Sequence, residues 1–173
     1  MCYTYRMKPK YIKAHMQVAE TYAKLSTARR LQVGAIVVKD DRIISIGYNG
    51  MPSGWDNNCE DIVFVPESRA KDYDTMVAEG YTFGVDKDTA GWSKTVTKPE
   101  VLHAEANAIA KVARSPESSE GAVIFITHAP CIECAKLVYQ SGIKQVFYRD
   151  NYRNEAGTDF LKQAGVIVNK VEL

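Results

Sequence analysis

Two short motifs constrain this 173-residue chain more than anything else in it: His103-Ala104-Glu105, and further on Pro130-Cys131-Ile132-Glu133-Cys134. Each opens a run of helix formers, HAEANAIAKVAR over 103–114 and CIECAKLVYQ over 131–140, the second stopping at Ser141-Gly142. Between them Ala122–Thr127 (AVIFIT) is nearly continuous apolar sequence bounded by Gly121 and Pro130, as expected of a strand buried on both faces. A strand at Lys144–Tyr148, a short helix at Thr158–Ala164 closed by Gly165 and a strand at Val166–Val168 follow. Strand alternating with helix predicts parallel pairing with crossover helices.

Upstream, Ile12, Met16, Ala19 and Ala23, with Tyr22 nearby, predict an amphipathic helix over Tyr11–Leu25. Val33–Val38 and Ile43–Tyr48 are β-rich, and the polar Lys39-Asp40-Asp41-Arg42 between them predicts a hairpin. Asn49–Gly54 is dense in turn residues and ends the second strand. Residues 55–100 follow no clean period, yet Trp55, Tyr73, Tyr81, Phe83 and Trp92 are too many aromatics for a disordered linker. They read as an ordered insertion in a single domain spanning 1–173. The expected fold class is α/β, three layers around a mixed sheet of about five strands flanked by helices. A domain of this size buries about 70% of its unfolded surface and needs no staples.

His103, Cys131 and Cys134 are residue types that zinc takes in tetrahedral sites, and a catalytic zinc keeps its fourth position for water. Cys131 and Cys134, three apart at a helix start, present their sulfurs on one face. The free N–H groups there favour thiolate. His103 supplies the third ligand if the two helices align side by side across the sheet. Glu105 decides what such a site does. A closed structural zinc would need a fourth ligand, and Cys2, Cys59, His15 and His128 have no helpful spacing. A carboxylate two residues past a histidine ligand can instead shuttle protons for the water. A thioredoxin-like Cys-x-x-Cys redox pair and a closed structural zinc beside a solvated Glu105 are the alternatives.

Twenty-two Lys and Arg against 21 Asp and Glu leave a net charge of +1, which argues against a polyanion-coating protein. That balance hides an asymmetry. Residues 1–30 carry +6 and residues 31–100 carry −5, which suits a solvated face, a subunit interface or a locally positive site for a small phosphate. No apolar run approaches the roughly 20 residues that span a bilayer. The leading MCYTYRMKPKYIKAHM lacks the apolar core of a signal peptide. The expectation is a cytoplasmic protein, or one made and used inside a host cell.

The order His-x-Glu then Pro-Cys-x-x-Cys is the signature of zinc nucleobase deaminases. The chain resembles the cytidine and deoxycytidylate deaminase superfamily, most closely the branch acting on dCMP. The resemblance rests on the first helix, Val33-Gly34-Ala35, Gly47-Tyr48-Asn49-Gly50-Met51-Pro52, the segments from His103 and Pro130, Gln140-Ser141-Gly142-Ile143-Lys144, Tyr152 and Ala164-Gly165-Val166. It implies a cytidine-deaminase-like fold, one catalytic Zn²⁺ held by His103, Cys131 and Cys134, and Glu105 as general acid/base in hydrolysis of dCMP to dUMP and ammonia. It further implies that the Ala104 backbone fixes the pyrimidine edge, that Asn49 contacts the sugar hydroxyl and that Tyr152 lies near the nucleotide. Homohexamers activated by dCTP, with Mg²⁺, and inhibited by dTTP are the family pattern; Tyr48 and Gly50 belong to the segment associated with that regulation, and Arg114 to a subunit contact. The role would be supply of dUMP for thymidylate synthesis. A deaminase for another cytosine or pyrimidine substrate, and a non-catalytic zinc-stabilised nucleotide-binding module, are the rival readings. A polynucleotide substrate would require a basic groove with stacking aromatics, which the near-neutral total disfavours. Some viral relatives carry a second, structural zinc in the insertion. Here 56–102 holds Cys59 and no histidine, so a single zinc is expected, with Cys2 and Cys59 as ordinary thiols. His128, where the family usually has an apolar residue, is expected to pack or face the pocket rather than bind metal.

Overall fold

The computed structural model describes residues 7–86 and 89–172, so Cys2 lies outside the described residues. In chain order the elements are α1 (Pro9–Ala23), β1 (Gly34–Lys39), β2 (Arg42–Tyr48), β3 (Glu60–Pro66), α2 (Tyr73–Ala78), β4 (Thr82–Asp86), β5 (Thr89–Thr97), α3 (Ala104–Ala113), β6 (Val123–His128), α4 (Ile132–Gln140), β7 (Gln145–Asp150), α5 (Ala156–Gln163) and β8 (Ile167–Lys170).

The main sheet has five strands in the order β2-β1-β6-β7-β8. β1 pairs antiparallel with β2 and with β6, whereas β6, β7 and β8 run parallel, so the sheet is mixed. Asp40 and Asp41 both take positive φ (49° and 58°), the conformation of a two-residue turn whose twist matches the strands it joins. Period-2 alternation divides the core. Ala35 and Val37 of β1 and Ile124 and Ile126 of β6 face α3, α4 and α5, burying against Ala108, Val138 and Leu161. Ile36, Val38 and Phe125 face the other way, under Met16 and Ala19 of α1. Phe125 stacks on Phe147 at 4.9 Å between centroids on that side. Each fully buried side chain of this size contributes about 1.5–3 kcal/mol.

Element ends differ from the periodicity by small, explicable amounts. α1 starts at Pro9 rather than Tyr11, because proline suits the first helical turn, and it ends at Ala23 rather than Leu25. β8 continues to Lys170 because ladder pairing with β7, not apolarity, sets its length.

Gly47 on β2 lets α3 lie directly on the sheet: a Cβ there would collide with the Ala104 carbonyl oxygen and the Ala108 backbone nitrogen. Ser45 Oγ donates to Ala108 O at 2.7 Å, Asn107 Nδ2 to Tyr48 O at 3.0 Å and Lys111 Nζ to Ile46 O at 3.1 Å, fastening the same contact. Gly47→Ala should therefore destabilise by about 1–3 kcal/mol, since the obstacle is backbone and no rotamer relieves it. Thermal denaturation checks this; an unchanged Tm would show that α3 can retreat without cost.

β3, β4 and β5 form a second, antiparallel sheet in the order β3-β5-β4. Its lack of a clean hydrophobic period has a structural reason: both faces remain partly solvated, with Ile62 68% and Val85 72% exposed. Trp92 is its buried anchor, met edge-on by Tyr73 at 5.2 Å and Phe83 at 5.4 Å. Immediately before the start of β3, buried Cys59 packs with Ala28 and Val101, its Sγ 3.3 Å from Thr27 Oγ1. Among the described residues no helix is long and apolar enough to cross a membrane.

Candidate active site

His103 and Cys131 occupy equivalent places, each the residue that caps the N-terminus of its helix, α3 and α4. Both helices lie on the same face of the sheet, which brings the two caps together at one edge of that layer. The position of His103 is held from behind. Leu102 exchanges two backbone hydrogen bonds with Gly50, at 2.9 and 3.1 Å. The turn before α4 is tied to β7 by Ala129 N donating to Asp150 O at 2.8 Å. Gly157 of α5 passes so close beneath it that a Cβ would strike the Pro130 carbonyl oxygen.

His103 Nδ1 lies 3.6 Å from Cys131 Sγ and 3.3 Å from Cys134 Sγ, and all three donor atoms fall within 4.8 Å of one another. A tetrahedral zinc with ordinary Zn–S and Zn–N bonds requires N···S edges of about 3.5 Å, so this donor set fits the ion. Among the described residues no second cluster of three such donors is close enough to hold a metal. His128 stays outside the cluster: its Nδ1 lies 3.2 Å from Thr127 Oγ1 and its Nε2 3.6 Å from Asp150.

Electrostatics follow from this crowding. Hydrogen bonding to Cys134 and His103 holds the Cys131 thiol down at about 3, and the Cys134 N–H also points at its sulfur, at 3.5 Å. Contact with Cys131 raises the His103 imidazole above its usual range. Hydrogen bonding to Cys131, with burial, pushes the Cys134 thiol up; a bound divalent cation would reverse that, since a coordinating thiol is deprotonated outright. Glu105, 5% exposed in the first turn of α3, has its carboxyl raised to about 7, chiefly by burial.

A cavity of about 290 Å³ opens beside the donors, lined by His103, Glu105 and Cys131 together with Asn49, Tyr152 and His128. Asn49 is firmly fixed: its Oδ1 accepts from Val33 N at 2.7 Å and its Nδ2 donates to Leu31 O at 2.8 Å. One lone pair and one N–H of that amide remain for a ligand. The Ala104 side chain is buried in the core, while its N–H belongs to the first turn of α3, where donors have no helical acceptor. Tyr48 and Gly50 do not line the cavity; they are the strand-end residues that fasten α3. Arg114 caps α3 at its other end and is exposed. Four polar lining residues escape the sequence reading: Arg30, Glu60, Thr97 and Arg153. The basic leading segment hinted at the first; Glu60 and Thr97 sit where no pattern was legible.

Three donors able to hold a metal, a buried acid and an adjoining cavity on a mixed α/β sheet are the parts that a hydrolytic metal centre needs. The family profile of the cytidine and deoxycytidylate deaminase zinc-binding region matches residues 9–150, and the chain belongs to that family. It is 34% identical over 170 residues to the deoxycytidylate deaminase of Enterobacteria phage T2, covering 90% of this chain and 89% of that one. ComE operon protein 2 of Bacillus subtilis is 35% identical over 159 residues, covering 91% and 69%. Among solved structures, the dCMP deaminase of cyanophage S-TIM5 in complex with dCMP and dUMP superposes with a TM-score of 0.73 at 38% identity, covering 96% of this chain and all of that one.

Proposed function

We propose that this protein hydrolyses dCMP to dUMP and ammonia, with His103, Cys131 and Cys134 holding one Zn²⁺ and Glu105 as general acid/base. The observation that carries the reading is a buried carboxylate beside a three-donor tetrahedral site, in a chain over a third identical to deoxycytidylate deaminases of phages. Zinc, when bound, supplies a water acidic enough to attack near neutral pH. Glu105 takes a proton from the attacking water and passes it to ring N3 as the oxygen adds to C4. It then takes the remaining proton from the C4 hydroxyl and delivers it to the amino group, which leaves as ammonia while the C4 carbonyl forms. Its position deep in the site keeps the proton from exchanging with bulk solvent. The Ala104 N–H holds the pyrimidine edge, Asn49 the sugar hydroxyl, and Tyr152 packs beside the nucleotide.

The reading extends to supply of dUMP for thymidylate synthesis inside a cell, viral host or otherwise, without a polynucleotide or membrane partner. It also includes homohexamers switched on by dCTP with Mg²⁺ and off by dTTP. Its support is the Gly47-Tyr48-Asn49-Gly50 resemblance and a mechanical point. Tyr48 and Gly50 anchor the start of α3, so a ligand that moves them moves Glu105.

Ammonia release is the test. The zinc-loaded protein should turn over dCMP far faster than CMP, deoxycytidine, dCTP or single-stranded DNA, and dCTP with Mg²⁺ should raise the rate at low dCMP. Faster release from deoxycytidine than from dCMP would sink the nucleotide assignment; a flat response to dCTP would remove the regulation alone.

A further inference from the structure

We infer that the inserted sheet sets the substrate's phosphate anchor: Glu60 and Thr97, paired with each other at one end of it, aim Arg30 into the cavity as the cation that reads the phosphate, with Arg153 as a second cation. This inference rests on the mononucleotide reading above.

Glu60 is 1% exposed. A carboxylate removed from water is tolerated only where its oxygens are satisfied. Here Oε1 accepts from the backbone N–H groups of Arg29 and Arg30, at 2.9 and 3.3 Å, and Oε2 from Arg29 Nε at 3.3 Å. The charge of Arg29 is thereby matched, and Arg29 also reaches Asn58 Oδ1 at 3.0 Å. Arg30 is treated differently. Its backbone is pinned by the same carboxylate, but its guanidinium meets only a neutral group, Nη1 donating to Thr97 Oγ1 at 3.1 Å.

Among the described residues neither Arg30 nor Arg153 has a carboxylate partner, and both line the cavity that holds His103 and Glu105. Thr97 occupies one of five donors on Arg30, leaving the planar fork for two parallel bonds to phosphate oxygens. A backbone already fixed by Glu60 loses little freedom when the anion arrives. A nucleoside presents nothing for these cations; a nucleoside monophosphate presents a dianion. The segregated charge of the sequence acquires a use: the −5 segment contributes the acid that organises one arginine and leaves its neighbour free.

The test is steady-state kinetics of the full, zinc-loaded chain on dCMP and deoxycytidine, with calorimetric binding of dUMP and deoxyuridine as a second readout. Arg30→Gln, an exposed change that leaves the core alone, should raise KM for dCMP by about 10- to 100-fold, as expected for a lost charge-assisted hydrogen bond pair. It should lower kcat/KM for dCMP at least 10-fold more than for deoxycytidine, and weaken dUMP more than deoxyuridine. Glu60→Ala should shift the same ratio in the same direction. Glu60→Gln, which keeps an acceptor for the two N–H groups, should recover most of it. An unchanged ratio in Arg30→Gln overturns the anchor. Equal losses on both substrates in Glu60→Ala and Glu60→Gln overturn the positioning role of Glu60. Wild-type protein that favours deoxycytidine defeats the mononucleotide reading itself, which separates that failure from the failure of the anchor.

Discussion

Glu105→Gln should abolish nearly all turnover, by about 10²–10⁴-fold in kcat, while zinc content and fold are kept. The amide has the size and hydrogen-bonding outline of the carboxyl but cannot carry a proton from water to ring N3 and on to the leaving group. The site is also permissive. Glu105 is 5% exposed, and burial, the largest influence on it, already disfavours its charge. A neutral side chain there adds no desolvation cost, so Tm should hold or rise. None of the three donor atoms is altered. Activity, metal analysis and thermal denaturation on one preparation check all of this. A kcat within tenfold of wild type would remove the acid/base role, and lost zinc would assign Glu105 to metal binding instead.

Cys131→Ala should remove both metal and activity. Its sulfur is the most readily ionised donor of the cluster, and it also accepts the Cys134 N–H at the start of α4. Substitution leaves an imidazole and one buried thiol, two donors where a catalytic zinc site uses three. Because ion binding stabilises the folded state by mass action, Tm should fall and become insensitive to added zinc. Loss of the cap adds about 1 kcal/mol. Full zinc occupancy in this variant would contradict the ligand set, and a zinc-dependent Tm would show another donor in its place.

Chemistry concentrated in short motifs was legible in the sequence because their spacing is local. Cys131 and Cys134 must share a face of α4, and a histidine two residues before a glutamate must open α3 if the following residues are helix formers. The hairpin and the parallel half of the sheet were legible for a similar reason: Asp40-Asp41 is polar between two β-rich runs, and β6, β7 and β8 alternate with helices. The insertion was not. Its strands pair through β5, and with both faces partly wet, Ile62 and Val85 sit outward as readily as polar residues. Arg30, Glu60 and Thr97 illustrate the consequence. Each is unremarkable in its own segment, and only pairing of β3 with β5 brings Glu60 opposite Thr97, beneath the loop that carries Arg30.

The chain by itself determined the donor types, their order, the helix starts that carry them and the carboxylate that stands beside them. These depend on residue chemistry and on the 3.6- and 2-residue periods. Only the tertiary structure decided that Gly47 and Gly157 let α3 and α5 approach closely enough to register His103 against Cys131, and that Tyr48 and Gly50 brace the site from outside the cavity. It alone also decided which of two adjacent arginines keeps its charge available. Those outcomes depend on contacts between segments tens of residues apart, where packing and ion pairing, not local propensity, set the geometry.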